Sequence, residues 1–277
     1  MEPTEYNRRA WDEIHRRRAD AMAGQLEIPP TIRERLPELE GKHVLHLQCA
    51  TGESTAELVE LGALVTGVDI SAEATAVARE RAPNAVFLEG DVQQLPLQLE
   101  RGRFDLVYTG GGIFHWLHVL DAWAKGVVGA LKPGGMLLAY DDHPVSACVD
   151  QASHWREDYF DENVFVDVGW RHFELTGSPA TEEKHERFWR LGQIVTAVAG
   201  AGLTIRSLDE FSSIYKTYWR KKDPRVPGQF VLIADKPRVS PARSARAPRR
   251  SAVRHRAPPP GSCRPVSAGP RRAQNFP

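Results

Sequence analysis

Residues 44–71 constrain the fold of this chain more than any other stretch, because they combine two apolar strands, a turn of small residues and a helix. The run 44–49 predicts a strand, and Ala50-Thr51-Gly52 predicts a tight turn before the helix. A second apolar run, 63–68, leads into Asp69. Parallel strands end at one edge of a sheet, so the turn and the Asp69 carboxylate should share a crevice. The carboxylate can accept two hydrogen bonds from a ribose diol, which predicts a site for a nucleoside-bearing cofactor.

Strand and helix signals continue to alternate as far as residue 140, which is typical of a parallel sheet with helices on both faces. The pattern then breaks over 145–188, and we predict that this segment is a lid inserted after the fifth strand. Two later strand-like runs, 203–211 and 229–235, have no helix between them and should form an antiparallel hairpin at one edge. The predicted fold class is therefore α/β, with a Rossmann-like, mostly parallel sheet of seven strands.

Composition divides the chain into three parts. Residues 1–40 predict a helical cap, residues 41–236 the main domain, and residues 237–277 a tail. The tail has ten arginines, nine prolines and no acidic residue, and it lacks the apolar side chains that would offset the entropy of ordering. We therefore predict that it is disordered. The rest of the chain carries 36 acidic and 26 basic residues, which disfavours binding of a polyanionic nucleic acid.

The sequence also indicates a compartment. It has no apolar run long enough to span a bilayer and no apolar signal core near Met1, so we expect a cytoplasmic protein without membrane contact. Its three cysteines have neither paired nor metal-ligand spacing, which predicts reduced thiols and no metal site. The sequence carries no signal of oligomeric state.

Five segments in order extend the opening pattern: VLHLQCATG, VDIS, GDVQQLP, FDLVYTGGG and LKPGGMLL. With them, residues 40–236 resemble the class I S-adenosylmethionine-dependent methyltransferases, and the HLQC pattern resembles a bacterial subgroup that acts on small molecules. A dinucleotide oxidoreductase would instead need GxGxxG after the first strand, and residues 48–53 contain one glycine.

The resemblance implies that the chain binds S-adenosylmethionine and releases S-adenosylhomocysteine. The implied cofactor residues are Gln48, Ala50 and Gly52 at the amino-acid end, Asp69 on the ribose, Ile70, Asp91 and Val92 around the adenine, and Thr109, Gly110 and Gly111 beside the sulfonium. Tyr6 and Trp11 either close over the cofactor, because aromatic faces attract a sulfonium cation, or belong to a plain amphipathic helix that packs on the core.

The chain departs from the family pattern at three positions. The family usually has an acid at 46 and glycines at 48 and 50, where this chain has His46, Gln48 and Ala50. Ala50 is small enough for a close approach of the backbone if its φ is negative. The amide of Gln48 either faces the methionine carboxylate of the cofactor or turns away and bonds local backbone.

Methyl transfer mainly requires alignment of the acceptor, and a histidine can serve as a base near neutral pH. His143 is predicted to be that base or to orient the acceptor, with Asp141 or Asp142 setting its tautomer, and His115 is predicted to contact the acceptor. The alternative for both histidines is a structural role. The aromatic residues of the insertion favour an apolar or planar acceptor, or else form a small core under the lid; they are Trp155, Tyr159, Phe160, Phe165, Trp170 and Phe173.

The leading hypothesis is a methyltransferase that acts on oxygen or nitrogen, with carbon as a third option, of a small molecule such as a specialised metabolite. Two alternatives remain open. One is an RNA or DNA methyltransferase steered by the basic tail. The other is a protein that binds S-adenosylmethionine without transferring its methyl group.

Overall fold

The computed structural model describes residues 1–17, 27–149, 154–169, 179–212 and 225–238. The chain forms nine strands over these residues, of which seven make one sheet and two make a separate hairpin. The strands are β1 (His43–Leu47), β2 (Leu64–Asp69), β3 (Val86–Glu89), β4 (Phe104–Gly110), β5 (Leu131–Asp142), β6 (Phe165–Val168), β7 (Glu183–Glu186), β8 (Thr204–Phe211) and β9 (Gln229–Asp235).

Seven α-helices accompany the strands within the same described ranges. They are α1 (Pro3–Arg17), α2 (Pro30–Arg33), α3 (Glu53–Glu60), α4 (Ala72–Arg81), α5 (Leu120–Ala130), α6 (Pro144–Ala147) and α7 (Leu191–Gly200). A short 3₁₀ turn, Phe114–Trp116, lies between β4 and α5. Among the described residues, no helix combines the length and the apolar character that crossing a bilayer requires.

The main sheet has the strand order β3-β2-β1-β4-β5-β9-β8. The first five strands are parallel, whereas β9 is antiparallel to both β5 and β8. This confirms the predicted α/β sheet and its antiparallel final hairpin. The strand order reverses between β1 and β4, and at such a switch point the loops diverge and leave a crevice at the carboxyl edge of the sheet.

Apolar side chains pack on both faces of the sheet because successive residues of a strand point to opposite sides. Leu45 and Leu47 of β1 belong to a cluster with residues of α5 and α7. Val44 points to the other face of the sheet and belongs to a second cluster with Leu58 of α3. All four side chains are fully buried. The carboxyl ends of the strands are thereby held on a rigid support.

Several boundaries differ from the predictions. The sequence predicts a first helix over 4–23, and the structure describes this helix from Pro3 to Arg17; residues 18–26 lie outside the described part of the chain. The helix starting at Pro30 ends at Arg33 rather than near Leu39. Strand β5 begins at Leu131, because the LKPGG segment already pairs with Phe104 of β4. The hairpin of β6 and β7 within the insertion was not predicted. The tail from residue 239 onward lies outside the described residues, so its predicted disorder stays a prediction.

Candidate active site

The turn after β1 places two residues in the left-handed backbone region that favours glycine. Gln48 has a φ of 53° and Ala50 a φ of 46°. The condition for an unstrained Ala50, a negative φ, is therefore not met. The backbone follows a path typical of glycine although both residues carry side chains, at a cost of about 1–2 kcal/mol per residue. Gly52 has a φ of 83°, and a Cβ there would lie 2.9 Å from the Cβ of Ala78 on α4. Position 52 therefore has no room for a side chain, because α4 packs directly against it.

Asp69 lies at the carboxyl end of β2 and faces this turn. Its Oδ2 accepts a hydrogen bond from the Ala50 amide at 2.8 Å, and its Oδ1 accepts one from the Ser71 amide at 3.0 Å. The residue is only 8% exposed. Burial raises the pKa of Asp69, and the backbone N–H groups of Ser71, Ala50 and Ile70 oppose that rise. Each carboxylate oxygen carries two lone pairs, so this group keeps acceptor capacity for a further donor.

The segment after β3 is ordered by a chain of side-chain to backbone bonds. Asp91 Oδ1 accepts from the Gln93 amide at 2.8 Å, and Val92 is buried. The side-chain oxygen of Gln93 accepts from the amides of His118 and Val119, both at 2.7 Å, which positions the start of α5. Sequence reasoning missed Gln93, because its partners lie about 25 residues away along the chain.

Helix α1 contacts the β2–α4 junction and the loop after β4. Asp12 Oδ1 accepts from the Ser71 hydroxyl at 2.7 Å, and Ile70, which precedes Ser71, stays partly exposed as a surface for adenine would. Trp11 packs edge-to-face on Trp116 with 5.1 Å between the ring centroids. Trp11 therefore lies beside the loop where the resemblance locates the sulfonium.

The same helix is fastened to β7 of the insertion. The Asn7 side chain pairs with the main chain of His185 in both directions, donating to its oxygen at 2.8 Å and accepting from its amide at 2.7 Å. The Tyr6 ring stacks on the His185 ring at 4.3 Å. Thus Tyr6 packs against the insertion, which favours the structural alternative for this residue over a cofactor contact.

The end of β4 offers backbone rather than side chains. The Thr109 hydroxyl is fully buried and donates to Leu47 O at 3.0 Å, so it is directed into the sheet. A Cβ at Gly110 would lie 2.1 Å from the ring of Tyr140, and Gly111 has a φ of 83°. Only the main chain of these residues can therefore contact a ligand.

Asp141 at the end of β5 holds the loop after β4. Its Oδ1 accepts from the amides of Gly112 at 2.8 Å and Asp142 at 2.7 Å. Its Oδ2 accepts from Ile113 and Phe114, both at 2.8 Å. Four N–H groups fill the four acceptor positions of a carboxylate. The predicted catalytic role of Asp141, setting the tautomer of His143, is therefore replaced by a structural one.

His143 is the N-cap of α6, and only 5% of the residue is exposed. Its Nδ1 accepts from the Val145 amide at 3.2 Å, and its Nε2 lies 2.9 Å from Glu210 Oε1 on β8. An Nδ1 that accepts a backbone N–H carries no proton, so a neutral His143 ring carries its proton on Nε2. This tautomer suits an orienting donor rather than a general base.

His115 lies directly over the loop after β4. Its Cε1 would be 3.6 Å from a Cβ at Gly112, and its ring is 4.6 Å from that of Trp116. Its Nε2 lies 3.7 Å from Glu186 Oε1 at the end of β7, and Phe188 stacks beside it at 6.1 Å. Glu186 was not anticipated, since nothing in the run EKHE marks it apart from its charge. Of the two predicted histidines, His115 is thus the one beside the expected point of methyl transfer.

A cavity of about 440 Å³ opens next to the end of β5. His143 and Pro227 line it together with three aromatic residues of the insertion: Trp155, Tyr159 and Phe160. Phe165 packs instead on Phe188 at 5.3 Å, and Trp170 and Phe173 lie outside the described residues. Across the described ranges, no cluster of three or more histidine, cysteine or acidic residues is arranged to hold a metal ion.

The side chain of Gln48 bridges from the turn after β1 to the loop after β4. Its Nε2 donates to the Ile113 carbonyl at 3.0 Å. Its Oε1 is buried and has no hydrogen-bond partner among the described residues. The nitrogen therefore bonds backbone of the loop after β4 rather than local backbone, and the oxygen is left as a buried acceptor.

Comparison with known proteins agrees with this geometry. The family described as "Methyltransferase domain" matches residues 44–135, from β1 to β5. An uncharacterized methyltransferase of Synechocystis sp. is 36% identical over 104 residues, which are 37% of this chain and 48% of that protein. A trans-aconitate 2-methyltransferase of Deinococcus radiodurans is 36% identical over 122 residues, 43% of either chain. The chain thus spans about half the length of the curated relatives it matches.

Solved structures extend the similarity of fold over most of the chain. A methyltransferase from Mesorhizobium loti superposes with a TM-score of 0.55 at 22% identity, covering 74% of this chain and 96% of the other. One from Methanosarcina mazei gives a TM-score of 0.55 at 19% identity and covers 77% and 100%. Both are described as S-adenosylmethionine-dependent methyltransferases. Residues 44–135 thus match a methyltransferase domain, and the chain has the fold of the class I S-adenosylmethionine-dependent methyltransferases.

Proposed function

We propose that this protein is an enzyme that transfers a methyl group from S-adenosylmethionine to oxygen or nitrogen, with carbon as a third candidate, of a small molecule of the specialised-metabolite type. The observation that carries the proposal is the buried Asp69 carboxylate, which faces the strained turn after β1 at the carboxyl edge of the sheet. A ribose hydroxyl is a donor from which such a carboxylate, already bonded to backbone N–H groups, can still accept.

The residues at the carboxyl edge fit the rest of the cofactor. The partly exposed Ile70 offers an apolar surface beside Asp69, and the Asp91–Val92 segment lies at the end of the neighbouring strand. Gly111 leaves backbone accessible, and Trp11 supplies an aromatic ring near it. The cofactor would supply, when bound, a methyl group activated by a positively charged sulfur.

His115 and Glu186 are the proposed proton-handling pair. An acceptor hydroxyl must lose its proton as its oxygen bonds to the methyl carbon, and His115 Nε2 can take that proton. The resulting imidazolium would face Glu186 at 3.7 Å, which stabilises the charge. His143, in the tautomer described above, is proposed to orient the acceptor rather than to deprotonate it.

The aromatic cavity supports a small apolar or planar acceptor. Trp155, Tyr159 and Phe160 present rings to it, and such rings bind flat apolar groups through burial of area and stacking. The names of related proteins cover trans-aconitate, demethylmenaquinone and malonyl-[acyl-carrier protein], so relatives of this domain act on varied molecules. The helical cap, the lid over 145–188 and a cytoplasmic setting belong to the same proposal; the buried, free thiols of Cys49 and Cys148 fit a reducing compartment.

Release of S-adenosylhomocysteine tests the activity. The full chain is incubated with methyl-labelled S-adenosylmethionine and fractionated small-molecule extract, and the labelled product is identified by mass. The proposal predicts label in a small molecule in step with S-adenosylhomocysteine. Label in added RNA alone would instead support a nucleic-acid methyltransferase, and cofactor binding with no turnover in any fraction would support a non-methylating protein.

The proton-handling pair is tested once an acceptor is known. Glu186→Gln should lower kcat about tenfold at neutral pH while KM for the cofactor changes little, because the imidazolium loses its partner. Glu183→Gln removes an acid from the other end of the same strand and serves as the matched control. Equal kcat values for the two variants would remove His115 and Glu186 from proton transfer.

A further inference from the structure

Gln48, in the turn after β1, has two unfavourable features: a strained backbone and a side-chain oxygen without a hydrogen-bond donor. No contact among the described residues compensates for either. Its backbone is held at a φ of 53°, where a side chain is disfavoured. Its side-chain oxygen is buried without a hydrogen-bond donor. Buried polar atoms in native proteins nearly always have partners, so an orphaned acceptor at a strained residue points to a group that arrives from outside the chain.

The orientation of the amide is fixed by its other contact. Nε2 donates to the Ile113 carbonyl at 3.0 Å, and a carbonyl can only accept. Rotating the amide by half a turn would bring two oxygens together at Ile113 and lose this bond. Oε1 therefore has to face away from Ile113, and the missing partner must be a donor.

The location narrows the donor further. The turn that carries Gln48 also carries Ala50, whose amide binds Asp69, and the bridge to Ile113 spans toward the loop after β4. Gln48 and Ile113 follow β1 and β4, whereas the adenine segment at Asp91 follows β3, two strands from β1 in the sheet. On the proposed function, the only donor that S-adenosylmethionine carries at the end away from its adenine is its α-ammonium group.

We propose that Gln48 Oε1 accepts a hydrogen bond from the α-ammonium group of the cofactor. The proposal rests on the proposed function and deepens it, and it differs from both sequence-based alternatives, in which the Gln48 amide faces the carboxylate or bonds local backbone. The left-handed backbone at Gln48 is what carries the side chain from the turn to Ile113, so Gln48 acts as a positioning residue for the amino-acid end of the cofactor.

Two ligands separate the ammonium contact from general binding. Binding of S-adenosylhomocysteine and of its analogue without the α-amino group is measured by calorimetry on the full chain. The wild type should favour S-adenosylhomocysteine, and Gln48→Gly should weaken that ligand about 10- to 100-fold, as expected for a hydrogen bond to a charged group. The deaminated analogue should bind to the wild type and to Gln48→Gly within about twofold.

Ala50→Gly controls for strain, because it relieves the other left-handed residue of the turn without removing a polar atom; it should keep the wild-type ratio of the two affinities. Equal weakening of both ligands in Gln48→Gly, or no weakening of either, would overturn the Gln48 contact while leaving the cofactor site intact. Failure of the wild type to bind S-adenosylhomocysteine at all would overturn the proposed function and this inference together.

Discussion

Asp69 and Asp141 are two buried aspartates at the carboxyl ends of parallel strands, and they differ in how far the protein uses them. Asp141 accepts from four backbone N–H groups, and its carboxylate has no position left. Asp69 accepts from the backbone N–H groups of Ala50, Ser71 and Ile70 and retains capacity for a further donor. An aspartate that follows a strand can therefore stabilise the fold or bind a ligand. The number of hydrogen-bond acceptor positions left free on its carboxylate distinguishes the two roles.

The largest effect is expected on stability at Asp141. Asp141→Ala should lower the free energy of unfolding by about 3–5 kcal/mol, because it leaves buried N–H groups of Gly112, Ile113 and Phe114 without acceptors. Chemical denaturation measures this. A loss below about 1 kcal/mol would mean that water or another group replaces the carboxylate, and the comparison with Asp69 would fail.

The effect at Asp69 should appear in binding instead. Asp69→Asn should weaken S-adenosylhomocysteine by about 1–3 kcal/mol, since an amide replaces one charged acceptor with a donor. The same variant should lose less unfolding free energy than Asp141→Asn under identical conditions. If the order of the two stability losses were reversed, Asp69 would be the structural member of the pair.

A third buried polar residue, His46, makes the stability of the fold depend on pH. Burial lowers the pKa of His46 to about 3, and its Nδ1 lies 2.8 Å from the Thr55 hydroxyl. His46 of the unfolded chain therefore takes up a proton at about pH 6.5, whereas His46 of the folded chain stays neutral down to about pH 3. The free energy of unfolding should fall by up to about 1.4 kcal/mol per pH unit between pH 6.5 and pH 3.

Comparison of wild type with His46→Gln isolates this contribution. The raised pKa values of Asp69 and Asp141 act with the opposite sign, because a folded state that holds extra protons loses stability as the pH rises through the window above about 4. Those terms cancel in the difference between the two proteins. Parallel stability curves between pH 6.5 and 5 would show that His46 is not kept neutral by burial.

The smallest effect is expected at the turn itself. Ala50→Gly should raise the free energy of unfolding by about 0.5–1 kcal/mol, because glycine adopts a φ of 46° without the clash of a Cβ and only part of that gain is lost to the greater freedom of the unfolded chain. Thermal and chemical denaturation would show it. A destabilised Ala50→Gly would mean that the Ala50 methyl group contributes packing that exceeds its strain.

The cofactor side of the site could be predicted because its residues are close together in the sequence. A strand, a small-residue turn, a helix and an acid are neighbours along the chain, so the position of Asp69 and the order of the sheet could be predicted from periodicity and from the family pattern. The left-handed φ of Gln48 could not, since the usual glycine signal is missing there.

The acceptor side was harder to predict because its contacts join distant segments. Asp141 meets the loop 27 to 29 residues before it, and Glu210 reaches His143 across the sheet from β8. Glu186 reaches His115 from the insertion hairpin. The local partner of His143 Nδ1 is the Val145 amide, whereas the neighbour of Nε2, Glu210, is brought there only by the tertiary fold.

The central claim is that Asp69, and not Asp141, meets the ribose of the cofactor, and a ligand without the ribose hydroxyls tests it most directly. Binding of S-adenosylhomocysteine and of its 2′,3′-dideoxy analogue is measured on wild type, Asp69→Asn and Asp141→Asn. We predict that the wild type and Asp141→Asn discriminate between the two ligands and that Asp69→Asn does not. Discrimination retained in Asp69→Asn, or lost in Asp141→Asn, would contradict the account.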